Sequence, residues 1–230
     1  MSRGRTNTAL NLISDRFVFA IGGYVAKGIA SEMVECYDIN TNTWHQLAPM
    51  NRPRSGTTAC SVGNRYLYVF PGIQRDTWNT IEFLDLGLFG QSPDPRNFKN
   101  QRWSLLQVSN NSDLHQCFSF ASIQLTQTEL LLFGGFKTKT FLFDFANTLA
   151  QMNQNKGTSA QGSTQYAKVT TNKETELCSA ASFNYDSDYV ARLFGNYLYA
   201  IDNHTLNLHV YSLKDRIWNF SPLKDLGVQL

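Results

Sequence analysis

Apolar positions fall in short runs, each β-branched or aromatic and each closed by Gly, Asn, Asp or Pro. Four stand out: Arg16-Phe17-Val18-Phe19-Ala20-Ile21, Tyr66-Leu67-Tyr68-Val69-Phe70, Leu130-Leu131-Leu132-Phe133 and Tyr197-Leu198-Tyr199-Ala200-Ile201. Their brevity and residue types predict strands, not helices. Gly22, Gly23, Gly134 and Gly135 follow two of them and suit the positive φ and close backbone approach of a tight turn. Asn is the best non-glycine substitute for that conformation, so Asp202-Asn203 is expected to be the same turn in another spelling.

The strands recur in a cycle of about fifty residues, which points to stacked supersecondary units. One cycle runs from Arg5-Thr6-Asn7 through Phe19-Ala20-Ile21-Gly22-Gly23-Tyr24 and Met33-Val34-Glu35-Cys36-Tyr37-Asp38 to Trp44 and Leu47-Ala48-Pro49-Met50-Asn51-Arg52-Pro53-Arg54. It restarts at Arg54, and Arg54 to Gly72 spans the same eighteen positions as Arg5 to Gly23. Thr80-Ile81-Glu82-Phe83-Leu84-Asp85 then stands where Met33 to Asp38 stood.

A strand ending in a glycine pair, an aromatic-Asp step, and a Trp after six intervening residues resemble the kelch repeat. Tyr37 and Trp44 have that spacing, as do Tyr211 and Trp218. The resemblance implies an all-β, kelch-type β-propeller. Four recognisable blades of about four antiparallel strands are expected, at about 5–51, 52–109, 110–173 and 174–223, within one domain over 5–223. It also implies that Tyr37, Trp44, Trp103, Tyr211 and Trp218 pack between blades, each burying a large apolar area. Met50 and the following Arg-Pro-Arg read as the end of an outer strand and the crossing to the next blade.

The units depart from the pattern in particular places. Pro71-Gly72 replaces the glycine pair of the second, and Trp103 arrives late because Gly87 to Gln101 forms an insertion. The third has Gly134-Gly135 and Phe143-Asp144 but no Trp. Phe143 and Tyr211 nevertheless both follow their turn by eight residues, so a shared hairpin is expected. Kelch propellers usually close with more than four blades, so the ring is expected to be incomplete: part of a longer protein, or a half-ring that forms a homodimer. The abrupt start on a repeat favours missing upstream blades. An open arc leaves faces and strand edges bare.

Composition narrows the function classes. With 230 residues the chain can bury a substantial core as one β domain. Aromatic residues make up 13%, charged residues only 17%, and the net charge is +2. The basic residues are dispersed, which argues against a nucleic-acid surface. No apolar run is long enough to cross a bilayer, and Met1-Ser2-Arg3-Gly4-Arg5 lacks a signal-peptide core. A cytoplasmic protein is therefore expected, with cytoskeletal association as one option. Cys36, Cys60, Cys117 and Cys178 show no paired spacing and read as buried thiols. The sequons at Asn110, Asn203 and Asn219 read as chance matches.

Two insertions punctuate the repeats. Gly87–Gln101 reads as a long surface loop, and the segment 150–165, rich in Gln, Asn, Ser and Gly, as a polar flexible loop. Loops on a rigid scaffold often carry recognition, while a tolerated insertion without consequence is the other reading.

The kelch fold is shared with copper oxidases resembling galactose oxidase, whose site needs imidazole and phenolate ligands around one metal. His45, His115, His204 and His209 occupy no matching repeat positions, and no catalytic constellation is evident. Asp38, Asp85 and Asp144 follow the aromatic position and read as turn residues. The expected protein is thus not an enzyme and takes no metal or cofactor; it is a scaffold or recognition module with a protein partner. The resemblance leaves a second course open, the substrate-recognition part of a cullin-type ubiquitin ligase adaptor whose BTB and BACK regions lie outside this sequence. Arg52, Arg54, Arg75 and Trp78 are the candidate partner-binding residues, since Arg and Trp are frequent interface anchors.

Overall fold

The first two predicted strands, β1 (Ala9–Ile13) and β2 (Phe17–Ile21), are joined by Ser14, Asp15 and Arg16, with Ser14 and Asp15 at the centre of the turn at φ of 58° and 51°. Positive φ at both turn residues gives a twist that matches the flanking strands, so the hairpin closes without splaying. The architecture is seen in a computed structural model that describes residues 1–62, 65–87, 95, 99, 101–107, 121–126, 128–134, 139–145, 165–166, 169–176, 189–202 and 207–222. Apart from a 3₁₀ turn at Arg75–Thr77, every regular element among these residues is a strand.

In the first sheet β1 and β2 are followed by a small hairpin, β3 (Tyr24–Ala26) and β4 (Ile29–Ala30), and then by β5 (Val34–Asp38) and β6 (Thr43–Gln46). The sheet order is β1-β2-β5-β6, all antiparallel. The second sheet repeats it with β7 (Ala59–Val62), β8 (Tyr66–Val69), β9 (Thr80–Asp85) and β10 (Ser104–Gln107). The third comprises β11 (Ala121–Gln124), β12 (Glu129–Phe133), β13 (Lys139–Asp144) and β15 (Val169–Glu176), and the fourth β16 (Tyr189–Phe194), β17 (Tyr197–Asp202), β18 (Asn207–Ser212) and β19 (Ile217–Pro222).

One strand departs from four per sheet. β14 (Gln165–Tyr166) pairs in parallel with β10 and makes the second sheet five-stranded. An outer strand presents a row of unpaired backbone groups, and β14 takes up part of that row. Gln165, the last residue of the expected polar loop, is therefore in a strand, and 150–164 lie outside the described residues. β15 also runs to Glu176, past the boundary anticipated near 173.

Each sheet stacks on the next, and the first strands β1, β7, β11 and β16 lie side by side in succession. The core is three apolar layers between sheets. Phe17, Phe19, Ile21, Val34 and Cys36 of the first sheet meet Leu67, Val69, Leu84 and Trp103 of the second. Tyr68, Phe70, Ile81 and Phe83 then meet Leu130, Leu132, Phe141 and Phe143, with Tyr68 stacked on Phe145 at 4.1 Å between ring centres. Leu131, Phe133 and Leu142 meet Leu198, Ala200, Tyr211 and Trp218 in the last layer. Strand alternation explains this two-sidedness, because neighbouring residues point to opposite faces and both faces are covered.

Register places Tyr37, Leu84, Phe143 and Tyr211 at one equivalent position, opposite Val18, Leu67, Leu130 and Leu198 respectively. Phe143 and Tyr211 thus hold the same place in equivalent hairpins. Trp44 pairs with Tyr37 and Trp218 with Tyr211. These residues lie on the face turned toward the preceding sheet. Trp103, Phe143, Tyr211 and Trp218 are accordingly buried. Trp103 donates its indole N–H to the Ala48 carbonyl at 2.9 Å and Trp218 to Thr140 Oγ1 at 3.0 Å, each on the preceding sheet's side of the layer.

The first and fourth sheets differ, and here the expectation for Tyr37 and Trp44 fails. Their rings touch at 5.2 Å between centres, but Trp44 is 38% exposed and Tyr37 half-buried, beside exposed Leu10 and Leu12. The physical reason is positional: no sheet among the described residues covers this face. At the other end Val190, Phe194, Tyr197, Tyr199 and Ile217 are exposed on the face that earlier sheets bury against their successor. The four sheets do not close a ring.

Candidate protein-interaction site

The crossing from the first sheet to the second is built around a carboxylate that the motif alone does not single out. Glu82, on β9, is fully buried and accepts bonds from the backbone N–H groups of Asn51 (2.6 Å) and Arg52 (3.1 Å). Arg54 lies beside it with a side chain shut off from solvent, its Nη2 3.2 Å from Glu82 Oε1. Arg54 Nη1 also donates to the carbonyls of Phe70 and Thr80 at 3.1 and 2.9 Å. Burial pulls the Arg54 guanidinium below its ordinary value, and the Glu82 charge and hydrogen bonds oppose that pull. Arg54 is therefore not a partner-binding residue. Its donors are spent inside the protein.

The first sheet repeats the device. Arg5 Nη2 meets Glu35 Oε2 at 2.7 Å, its Nη1 donates to the carbonyls of Gly22 and Met33 at 2.8 Å each, and Ser2 N–H donates to Glu35 Oε1 at 2.7 Å. Burial works to raise the Glu35 carboxyl, but the Ser2 hydrogen bonds and the Arg5 charge hold it below the ordinary value. The signal for both pairs in the sequence is the placing of Glu35 and Glu82 at corresponding positions after Arg5 and Arg54.

A second repeated pair closes the base of the central hairpin. Arg16 Nη2 lies 2.7 Å from Asp38 Oδ2, and Arg65 Nη2 lies 3.0 Å from Asp85 Oδ2. Asp38 also accepts the Asn40 N–H at 3.0 Å and Asp85 the Gly87 N–H at 2.8 Å. Hydrogen bonding from Arg16 holds the Asp38 carboxyl well below the usual range. These aspartates join a turn to an ion pair and are not free acids. The side chain of Asp144 lies outside the described residues.

Gly22 and Gly23, at φ of 62° and 96°, open the loop end of the first sheet. Gly23 N–H donates to the Arg54 carbonyl at 2.7 Å, so the crossing chain is laid directly on the turn. A Cβ on Gly22 would land on that carbonyl oxygen, and one on Gly23 would meet Thr8 Oγ1 and, at 2.7 Å, the Thr6 carbonyl oxygen. At Gly72 the Ser55 carbonyl oxygen stands 2.7 Å from a Cβ position, and at Gly134, φ 73°, the Tyr189 ring stands at 2.6 Å. Gly135 and Asn203 are outside the described residues, and Asp202 ends β17 opposite Tyr189.

Three of the four candidate residues meet at this same end. The connection from β8 to β9 is locked by Thr77, whose Oγ1 accepts the Gly72 N–H at 3.1 Å and donates to the Gln74 carbonyl at 2.6 Å. Gln74 ties it to the crossing chain through Ser55 N–H and Oγ, both at 2.8 Å. On this braced loop the Arg75 guanidinium carbon lies 5.9 Å from the centre of the Trp78 ring, an arrangement that leaves an exposed cation beside an aromatic face. Arg52 Nη1 donates to the Asp76 carbonyl oxygen. Arg75 and Asp76 are exposed, and Arg52 and Trp78 half-buried.

The β3–β4 hairpin is tied to the crossing chain, and its two very short strands give no signal in the sequence. Ser31 at its base receives the Arg54 N–H at 3.1 Å, and Ile29 at its tip is 58% exposed with Lys27 beside it. The loop end thus offers two cations, an aromatic ring and an apolar tip on a rigid frame. Most of the 87–101 insertion lies outside the described residues.

Among the described residues no set of three or more His, Cys, Asp or Glu is placed to hold a metal ion. His209 is buried between the rings of Tyr189 and Trp218, and burial lowers its pKa against the opposing pull of Asp202. Burial pushes the Cys36 and Cys60 thiols up to about 12. His115, His204, Cys117 and Cys178 lie outside the described residues. Among those described, no helix is long and apolar enough to cross a membrane.

No curated protein matches the chain. The family model of the kelch motif does match it, over residues 16–51, the stretch from the Arg16 end of the central hairpin through β6 to the start of the crossing. With that match and, among the described residues, four stacked β-sheets and the small β3–β4 hairpin, the chain carries a kelch motif and is consistent with the kelch-repeat family.

Proposed function

We propose that the chain is a non-catalytic protein-recognition module that acts as a scaffold, and that its loop end binds a protein partner. Kelch motifs are commonly found in interaction domains, which supports the general class. One observation carries the location: Arg75 and Trp78 sit on a loop braced by Thr77 and Gln74, and Arg52 of the crossing chain bonds to it. Holding Arg and Trp side chains on a pre-organised loop reduces the ordering cost of binding, and these residue types dominate interface energetics. The exposed Arg75 guanidinium suits a partner surface bearing carboxylates.

The test is affinity capture with the 230-residue chain, identification of the partner, and measurement of its affinity for Arg75→Glu and Trp78→Ala variants. Each substitution should weaken binding at least about tenfold, equivalent to roughly 1.4 kcal/mol, and Arg75→Glu should leave the melting temperature unchanged. Undiminished affinity in both variants would remove the loop end as the site.

A further inference from the structure

The two bare faces at the ends of the array are the two halves of a junction that the molecule makes three times internally. In every internal layer the face of one sheet that carries its Phe17-type and Phe19-type positions packs against the face of the next that carries the Tyr37-type and Trp44-type positions. The first sheet presents an uncovered face of the second kind, with Leu10 64%, Leu12 52% and Trp44 38% exposed. The fourth presents an uncovered face of the first kind, with Val190 52%, Phe194 79%, Tyr197 47%, Tyr199 38% and Ile217 48% exposed around an exposed cation, Arg192.

Register makes the equivalence residue by residue. Tyr197 pairs with Ser212 and Ile217's row as Phe17 pairs with Asp38 and Thr43's row. Trp44 sits in its sheet as Trp218 sits in the fourth, opposite the Tyr of the motif. Trp103 and Trp218 both donate their indole N–H across a layer, whereas Trp44 makes no such bond among the described residues. Apolar patches of this extent mark association surfaces.

We propose that these faces bind each other between two copies of the chain, the fourth sheet of one copy packing on the first sheet of the next. The occupant is a second copy because each copy carries both halves of an interface whose geometry is already realised internally. The contact is heterologous, head to tail, and generates a closed ring of copies if the rotation closes or a growing chain if it does not. Trp44 becomes buried, and its indole N–H reaches an acceptor on the incoming sheet. This association is independent of partner binding at the loop end.

Two single-face variants test it by light scattering over a dilution series. Phe194→Lys adds a second charge, beside Arg192, to the fourth sheet's bare face and Leu12→Lys places one on the first sheet's, both at exposed positions. The wild-type chain should exceed the 26.0 kDa of one copy and dissociate on dilution. Either variant alone should run as a single copy. Mixed in equal amounts, the two should form a species of twice that mass and nothing larger, because each supplies the intact face that the other lacks. Melting temperatures of the single variants equal to that of diluted wild type will show that folding is intact; if one variant misfolds, Tyr199→Asp or Leu10→Lys replaces it. A wild-type chain that stays at single-copy mass at every concentration would overturn the proposal. So would a variant that associates as wild type does, which would indicate a symmetric contact or another surface, or a mixture that fails to pair.

Discussion

A glycine at position 23 answers two demands at once, a φ of 96° and a backbone that approaches Thr6 and Thr8 too closely for any Cβ. Gly28, in the β3–β4 hairpin, answers only the first: its φ is 74°, and a Cβ there would meet nothing within 4 Å. The two positions therefore separate strain from crowding. Gly28→Ala should cost about 1 kcal/mol, the penalty of holding a non-glycine residue at positive φ. Gly23→Ala should cost about 3 kcal/mol or more, since the Thr6 and Thr8 chain must also move. Thermal unfolding of the two variants beside wild type measures the difference, and equal losses would show that close approach contributes nothing. The need for a turn at Gly22-Gly23 is legible in the sequence, because a glycine pair that closes an apolar strand supplies the positive φ a tight turn requires. The neighbour that approaches is not, since the Arg54 carbonyl that rests on Gly22 belongs to the next repeat.

At the scale of the elements, the buried Arg54–Glu82 pair fixes the crossing chain against β9, and its equivalent Arg5–Glu35 does the same against β5. An Arg-Pro-Arg turn is usually solvated, so the sequence by itself points Arg54 to the surface. The structure turns it inward, where Glu82, twenty-eight positions away, and two carbonyls satisfy it. No local pattern conveys burial that depends on so distant a partner. The clue lies in comparing repeats, which place a glutamate in the corresponding strand after each arginine. Removing one member strands the other in the core, so Arg54→Met and Glu82→Gln should each cost roughly 3–5 kcal/mol. The double variant should cost less than the two losses added together, as expected for groups in contact. By contrast Arg65→Ala, whose pair with Asp85 is about one-third exposed on each side, should cost under about 1 kcal/mol. Urea unfolding of the four variants measures all these values. An Arg54→Met loss no larger than that of Arg65→Ala would mean that the buried pair does not hold the crossing.

Across the whole molecule, stability in a stack of similar units is close to a sum of each unit and its contacts with neighbours. The same motif residue should then differ in worth according to what lies beside its sheet. Trp218 is 7% exposed, packs on Phe133 at 5.2 Å between ring centres, and bonds to Thr140 across the layer. Trp44 holds the equivalent place beside Tyr37 but faces no sheet. The sequence spells the two alike, and nothing in a single repeat reports whether a neighbour covers it; that information exists only in the order of the sheets. Trp218→Ala should therefore destabilise the chain by about 3–5 kcal/mol, the loss typical of a large aromatic removed from a core. Trp44→Ala in dilute solution should cost under about 1 kcal/mol. At concentrations where copies associate head to tail, Trp44→Ala should in addition weaken association, while the fold of each copy stays intact. Calorimetric melts of both variants across a dilution series distinguish these effects. A large loss for Trp44→Ala that does not change with dilution would show that its ring stabilises the first sheet by itself, through Tyr37, and not through a neighbouring copy.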